Sequence, residues 1–171
     1  MQILETDRIV LRRLTPVDLH DLFALYSDPD VRRYFPEGTL TLEQTKDELD
    51  WFATGDPAHP TLGLWATILK ETGELIGRCG LLPWTIDGRE EVEVAYMISR
   101  ARWGNGYGTE AARGLVHHGF VTLGLLPRLI CLIDRENEAS KRVAVKIGMS
   151  FDKEGYDDKG PFQLYSLERP R

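Results

Sequence analysis

The chain has 171 residues, 42% hydrophobic and 28% charged, the make-up of an ordinary globular domain; disordered, collagen-like and membrane-embedded classes are excluded. Its formal net charge of −6 argues against a nucleic-acid surface, which needs clustered Lys and Arg, and gives a cationic or amine-bearing partner a mild attraction. No stretch reaches the roughly 18 apolar residues of a membrane helix, and Met1-Gln2-Ile3-Leu4-Glu5 forms no cationic leader, so one cytoplasmic domain over 1–171 is expected.

In chain order, Arg8-Ile9-Val10-Leu11-Arg12-Arg13-Leu14 reads as a first strand. Thr15-Pro16-Val17-Asp18 combines a capping hydroxyl, proline at the first helical position and an early carboxylate, which predicts a helix with Leu19, Leu22, Phe23 and Tyr26 on its apolar face. A second helix starts at Thr41, with Gln44 completing a capping box, and stops at Gly55 and Pro57. Strands at about 63 to 70 and 75 to 82 are joined by Glu71-Thr72-Gly73-Glu74. A turn-rich segment containing Asp87-Gly88 follows. Glu91 to Ile98 then alternates between two faces, Val92, Val94, Tyr96 and Ile98 against Glu91, Glu93, Ala95 and Met97. Both faces are largely apolar, which predicts a central strand covered on both sides and makes Glu93 an unusual occupant.

The segment Trp103-Gly104-Asn105-Gly106-Tyr107-Gly108-Thr109-Glu110 follows at once and leads into a helical stripe of Ala112, Leu115, Val116, Gly119, Phe120 and Leu123. Strand, glycine-rich turn and helix together present unpaired first-turn N–H groups to an anion, so a phosphate or pyrophosphate site is predicted. No G-x-x-x-x-G-K-S/T motif occurs. A dinucleotide fingerprint fails because Thr109 stands where its third glycine is required and the remaining chain is too short for a doubly wound sheet. A strand over Leu129 to Ile133, a short helix capped by Asn137 and stopped near Gly148, and strands at about 149 to 156 and 162 to 168 complete the chain. Cys79 and Cys131 read as buried thiols. His117 and His118 are adjacent on a helix and point apart, so no metal is implied.

The sequence resembles the GNAT acetyltransferase superfamily, in its ribosomal-protein N-terminal acetyltransferase-like branch. The resemblance rests on Thr6-Asp7-Arg8-Ile9-Val10-Leu11-Arg12-Arg13-Leu14, on Asp28-Pro29-Asp30-Val31, on Trp103 through Ala111, and on Asn137-x-x-Ser140 followed by Lys146-Ile147-Gly148-Met149. It implies an α/β fold of the α+β type: a mixed, largely antiparallel sheet splayed between its fourth and fifth strands, with helices on both faces. Acetyl-CoA would lie in that split as cosubstrate. The backbone of Tyr96, Met97 and Ile98 would flank the pantetheine. Amides from Gly104, Asn105, Gly106, Tyr107, Gly108 and Thr109 would hold the pyrophosphate. Asn137 would bond the pantetheine arm. Trp103 opens the loop where the superfamily often has Gln or Arg.

Acetyl transfer to an amine needs a base, an oxyanion donor and an acid for the leaving thiolate. Glu93, raised in pKa by an apolar site, is the expected base, a role the corresponding Glu has in several superfamily members. A backbone N–H near Met97 or Ile98 would meet the oxyanion. The Tyr that many members carry on the helix after Asn137 is replaced by Ala144, and the branch points to Ser140 as the acid, water being the other source of the proton. The acceptor is an amine: a protein N-terminus, an amino acid, a polyamine or an aminoglycoside. A non-catalytic acyl-CoA sensor or scaffold is the alternative reading, and oligomeric state is not legible.

Overall fold

A computed structural model of the chain describes residues 1–124 and 127–170. Its strands are β1 (Gln2–Glu5), β2 (Ile9–Arg12), β3 (Gly63–Leu69), β4 (Leu75–Ile86), β5 (Arg89–Ile98), β6 (Arg128–Ile133), β7 (Ser150–Asp157) and β8 (Gly160–Glu168). They form one sheet in the order β1-β2-β3-β4-β5-β6-β8-β7, antiparallel except where β5 meets β6. The helices are α1 (Leu19–Tyr26), α2 (Leu42–Thr54), α3 (Tyr107–His117) and α4 (Glu138–Lys146).

Local chemistry sets most boundaries. Thr41 Oγ1 accepts from Gln44 N at 3.2 Å while Gln44 Oε1 accepts from Thr41 N at 2.9 Å, so the expected capping box starts α2, and Gly55 at φ +81° ends it. At the other predicted helix start the roles are reversed. Asp18, not Thr15, is the acceptor, taking the Thr15 N–H at 2.8 Å, the Thr15 hydroxyl at 3.0 Å and both arms of Arg12. Pro16–Asp18 forms a 3₁₀ turn, and the α-helix begins only at Leu19.

β1 and the β4–β5 hairpin differ most from expectation. β1 has too little alternation to be read in four residues, and pairing with β2 makes it a strand. β4 runs past residue 82 to Ile86, because Asp87 (φ +50°) and Gly88 (φ +75°) make a two-residue turn that pairs Ile86 with Arg89 and carries the ladder to the tip. The helical stripe after the glycine loop ends in a π-helical turn at His118–Thr122.

The alternation in β5 sorts its two faces as the sequence implied. Val92, Val94 and Ile98 pack with Ala111, Ala112 and Leu115 of α3 and Ala144 of α4. Met97 lies with Leu22, Leu25 and Tyr26 of α1 and Leu49 of α2. Complete burial of a Leu such as Leu22 or Leu115 contributes ~1.5–3 kcal/mol, so each helix is held by its apolar stripe. The opening expected between the fourth and fifth strands lies between β5 and β6 here, since β1 adds one to the count. Those two strands meet at one register position, Glu93 opposite Ile130.

Candidate active site

Cys131 Sγ donates to Val94 O at 3.3 Å, and beyond this point β5 loses its neighbour. Strand alternation decides which peptide groups face the opening. Ser99 N donates to Ile76 O on the β4 side, whereas Ile98 O accepts the Trp103 indole N–H at 2.8 Å. The peptide groups of Tyr96 and Ile98 therefore face the opening, and those of Met97 are turned to β4. Of the two oxyanion donors considered, Ile98 N fits and Met97 N does not.

The glycine loop is built against that edge. Asn105 Nδ2 donates to Arg102 O at 3.1 Å and Trp103 O at 3.0 Å, which folds the loop on itself. Gly104 and Gly106 take φ +78° and +79°, the left-handed region that glycine enters without strain. Gly106 precedes α3, and the first helical bond runs from Glu110 N to Gly106 O. The N–H groups of Tyr107, Gly108 and Thr109 thus have no helical acceptor and point out of the helix start, the geometry that receives an oxyanion. Three side chains fix the loop in place: Asn105 within it, Trp103 on Ile98 O of β5, and Tyr107 beneath the Arg8 guanidinium, 4.4 Å from ring centre to Cζ.

The segment Thr6–Arg8 clamps this loop, a role that sequence reading missed. Glu110 accepts from Thr6 Oγ1 at 2.6 Å, Arg8 N at 2.8 Å and Arg8 Nε at 2.6 Å, and Arg8 also donates to Asn105 O at 2.9 Å. Burial pushes the Glu110 pKa up, and these donors together outweigh it and hold it below the usual carboxylate value.

Asn137 Oδ1 accepts from Ser140 N at 3.1 Å, confirming the cap of α4 and leaving the amide Nδ2 for other partners. Besides its helical bonds, Ser140 takes part through its backbone twice, the second time accepting the Tyr96 hydroxyl at Ser140 O at 2.9 Å. Tyr96 thereby ties α4 to β5 across the opening. Burial raises its pKa far above the ordinary phenol value, so its hydroxyl stays a donor. Ala144 is fully buried in the core, consistent with a packing residue.

A cavity of about 670 Å³ lies on the α1/α2 face of the sheet and reaches the opening. Glu93, Tyr96 and Ser140 all border it, as do Tyr34, Phe35, Pro36 and Glu37. Trp84 Nε1 donates to Glu93 Oε2 at 2.7 Å. Burial raises the Glu93 pKa above its ordinary value, opposed by the Trp84 bond, the charge of Arg78 and the Leu132 N–H. Sequence reading took Trp84 for core or groove packing and missed its bond to Glu93, although the Asp87-Gly88 turn places it diagonal to Glu93 on the same face. It also missed Arg32 and Arg78, both bordering the cavity.

A family model described as an acetyltransferase (GNAT) domain matches residues 8–150. The chain belongs to the GNAT acetyltransferase family. Membership makes it an acetyl-CoA-dependent N-acetyltransferase. This GNAT protein is 40% identical over 151 residues to the Bacillus subtilis protein YkkB, covering 88% of this chain and 86% of that one. It is 34% identical to the uncharacterized B. subtilis N-acetyltransferase YoaA, covering 99% and 98% of the two chains. Its fold is similar to that of RimL, a ribosomal L7/L12 alpha-N-protein acetyltransferase in complex with coenzyme A, with TM-score 0.78 and 13% identity over 98% of each chain.

Proposed function

We propose that this GNAT protein acetylates a primary amine by direct attack on acetyl-CoA, with Glu93 as base and Ser140 as the acid for the leaving thiolate. One observation carries the reading: Glu93, Tyr96 and Ser140 border a single cavity that reaches the open edge of β5, beside a helix start with free N–H groups. The loop from Gly104 to Thr109 is the pyrophosphate site, and its positive-φ glycines let the backbone approach the anion closely. Trp103 shapes the loop through Ile98 O, and the Asn137 amide reaches the pantetheine arm.

In the reaction the amine nitrogen forms a bond to the acetyl carbon and its proton passes to Glu93, directly or through water. The tetrahedral oxyanion is met by the Ile98 N–H. The C–S bond then breaks and the thiolate takes the Ser140 Oγ proton, which solvent restores. A carboxylate of raised pKa suits the first step, because its basicity is brought nearer to the amine it must deprotonate. A cytoplasmic site of action belongs to the same proposal.

The test is acetyl-CoA consumption with thiol release against a panel of amines and N-terminal peptides, with products identified by mass spectrometry. Acetylated product is expected. Tight CoA binding with no turnover of any panel member would return the protein to a sensor or scaffold.

A further inference from the structure

We propose that the acceptor amine also carries a carboxylate, and that Arg32 and Arg78 hold that carboxylate in the cavity across β5 from the thioester. The inference rests on the acetyl-transfer reading and adds the substrate class.

Two buried guanidiniums line this cavity. Arg32 is 5% exposed and Arg78 6% exposed. Each spends only its Nε: Arg78 donates to the Tyr26 hydroxyl at 2.9 Å, and Arg32 to Gly38 O at 2.7 Å. The terminal nitrogens of both make no hydrogen bond to a described residue, and none of them is sealed from solvent, so they open onto the cavity. A buried charge is normally matched by a carboxylate in contact. Here Arg78 has no ion pair among the described residues. Arg32 has only Glu37 at 3.8 Å, which pairs more closely with Lys159 at 3.1 Å. Glu48 accepts the Tyr26 hydroxyl and acts on both guanidiniums through its charge, without an ion-pair contact to either.

The two forks are also held in place. Arg32 Cζ lies 4.3 Å from the Phe35 ring centre and 5.4 Å from that of Tyr26, and Arg78 Cζ lies 5.8 and 5.6 Å from the same rings. Aromatic contact steadies a guanidinium and leaves its N–H groups free for a planar oxyanion. Arg78 repels Arg32, Glu48 offsets part of that repulsion through its charge, and a bound carboxylate would remove more of it and give the solvent-facing donors a charged partner.

The position suits an amino acid. Arg78 pairs with Met97 and Leu82 with Glu93, so Arg78 and Glu93 share one face of the sheet about 13 Å apart along the strands. Both residues and the small Ala95 between them on the same face border the cavity, which leaves room along one wall for an ammonium and a carboxylate on one short skeleton. The acidic net charge of the chain pointed to a cationic acceptor; the interior of the cavity points to a zwitterion.

The experiment compares free amino acids, their amides, peptides with amidated C-termini that begin with Asp or Glu, and spermidine as acceptors, in wild type and Arg78→Met. Acceptors with a carboxylate should exceed their carboxylate-free counterparts by at least ~10-fold in kcat/KM. Arg78→Met should remove that preference through KM while the KM for acetyl-CoA moves little. Preference for free amino acids over the Asp and Glu peptides assigns the α-carboxylate, and the reverse assigns a side-chain carboxylate. Equal or better use of amides and spermidine overturns the proposal. Calorimetry of wild type with N-acetyl amino acids needs neither turnover nor a folded variant. Binding supports the arginine site, and its absence overturns it. Loss of both turnover and CoA binding would instead sink the acetyl-transfer reading, with the calorimetry still deciding the arginine site.

Discussion

Glu93 shows at the scale of one residue how a site is kept at the expense of stability. Its carboxyl is desolvated, so its folded pKa lies above the ordinary 4.5. Between 4.5 and that raised value the unfolded chain is ionised while the folded one keeps its proton, so stability contributed by the neutral form is lost as pH rises through this window. Gln keeps the shape and an acceptor for the Trp84 indole without the charge. Glu93→Gln should therefore lower kcat by at least ~10²-fold at neutral pH with acetyl-CoA binding intact. The deficit should shrink as pH approaches the amine's own pKa. Thermal denaturation of the same variant should show a higher Tm than wild type at pH 7 and equal Tm near pH 4. Normal turnover across pH 6 to 9 would make Glu93 a structural residue. The sequence showed this carboxylate because it interrupts an apolar alternation. Arg78 interrupts Leu75-Ile76-Gly77 and Cys79-Gly80-Leu81 in the same way, but its partners Tyr26 and Phe35 come from α1 and the loop after it, far away in the chain.

Among the elements, the start of α3 is the most constrained. Replacing Gly106 with Val forces a β-branched residue to φ +79° and turns the free amides away from their target, so CoA affinity measured by calorimetry should fall at least ~10-fold, or ~1.4 kcal/mol. The clamp on that loop reaches across the chain from the β1–β2 turn. Glu110→Ala removes the shared acceptor of Thr6 and Arg8 and should cost ~1–2 kcal/mol in denaturant unfolding, since Arg8 is half exposed and partly compensated by water. It should raise the acetyl-CoA KM as well. At α4, Asn137→Ala should cost ~1 kcal/mol through the lost cap and raise the same KM. A stability loss with unaltered kinetics would leave Asn137 a cap alone. The caps at Thr41 and Asn137 were legible because they use neighbours three residues apart. The Glu110 clamp was not, since its partners lie about a hundred positions away in sequence.

For the whole molecule, acid acts on stability through buried groups of opposite sign. His118 is buried against Trp65, with ring centres 6.0 Å apart, and burial followed by the charge of His117 lowers its pKa below 6.5. The unfolded state then binds the proton first, so stability falls as pH drops below 6.5. Asp18 is pushed up by burial, but Arg12 and the Thr15 N–H and hydroxyl together pull it below 3.8. Its contribution is complete above that value and is lost as pH falls through the folded pKa, and Glu110 behaves alike below 4.5. A Tm profile from pH 8 to 3 should stay nearly level between 6.5 and 4.5, where the gain from protonating Glu93 opposes the loss at His118, and fall steeply below about 4. Asp18→Asn should lower the plateau and flatten the steep part. An unchanged slope would show that Asp18 titrates alike in both states.

What the sequence by itself determined is whatever depends on short range: strand alternation, the boundaries of α2 and α4, the glycine loop before α3, and the family those motifs share. Periodicity and capping are written in residues one to four positions apart, so they survive without knowledge of the partner element. The tertiary structure decided the rest. β1 became a strand only by pairing with β2, and Met97 was turned from the opening by the register of β5 on β4. It also brought Arg32 of the α1–α2 connection and Arg78 of β4 to one cavity with Glu93 of β5. Burial, unsatisfied donors and raised pKa values arise from elements closing over a residue, and no local pattern in the chain records which elements those are.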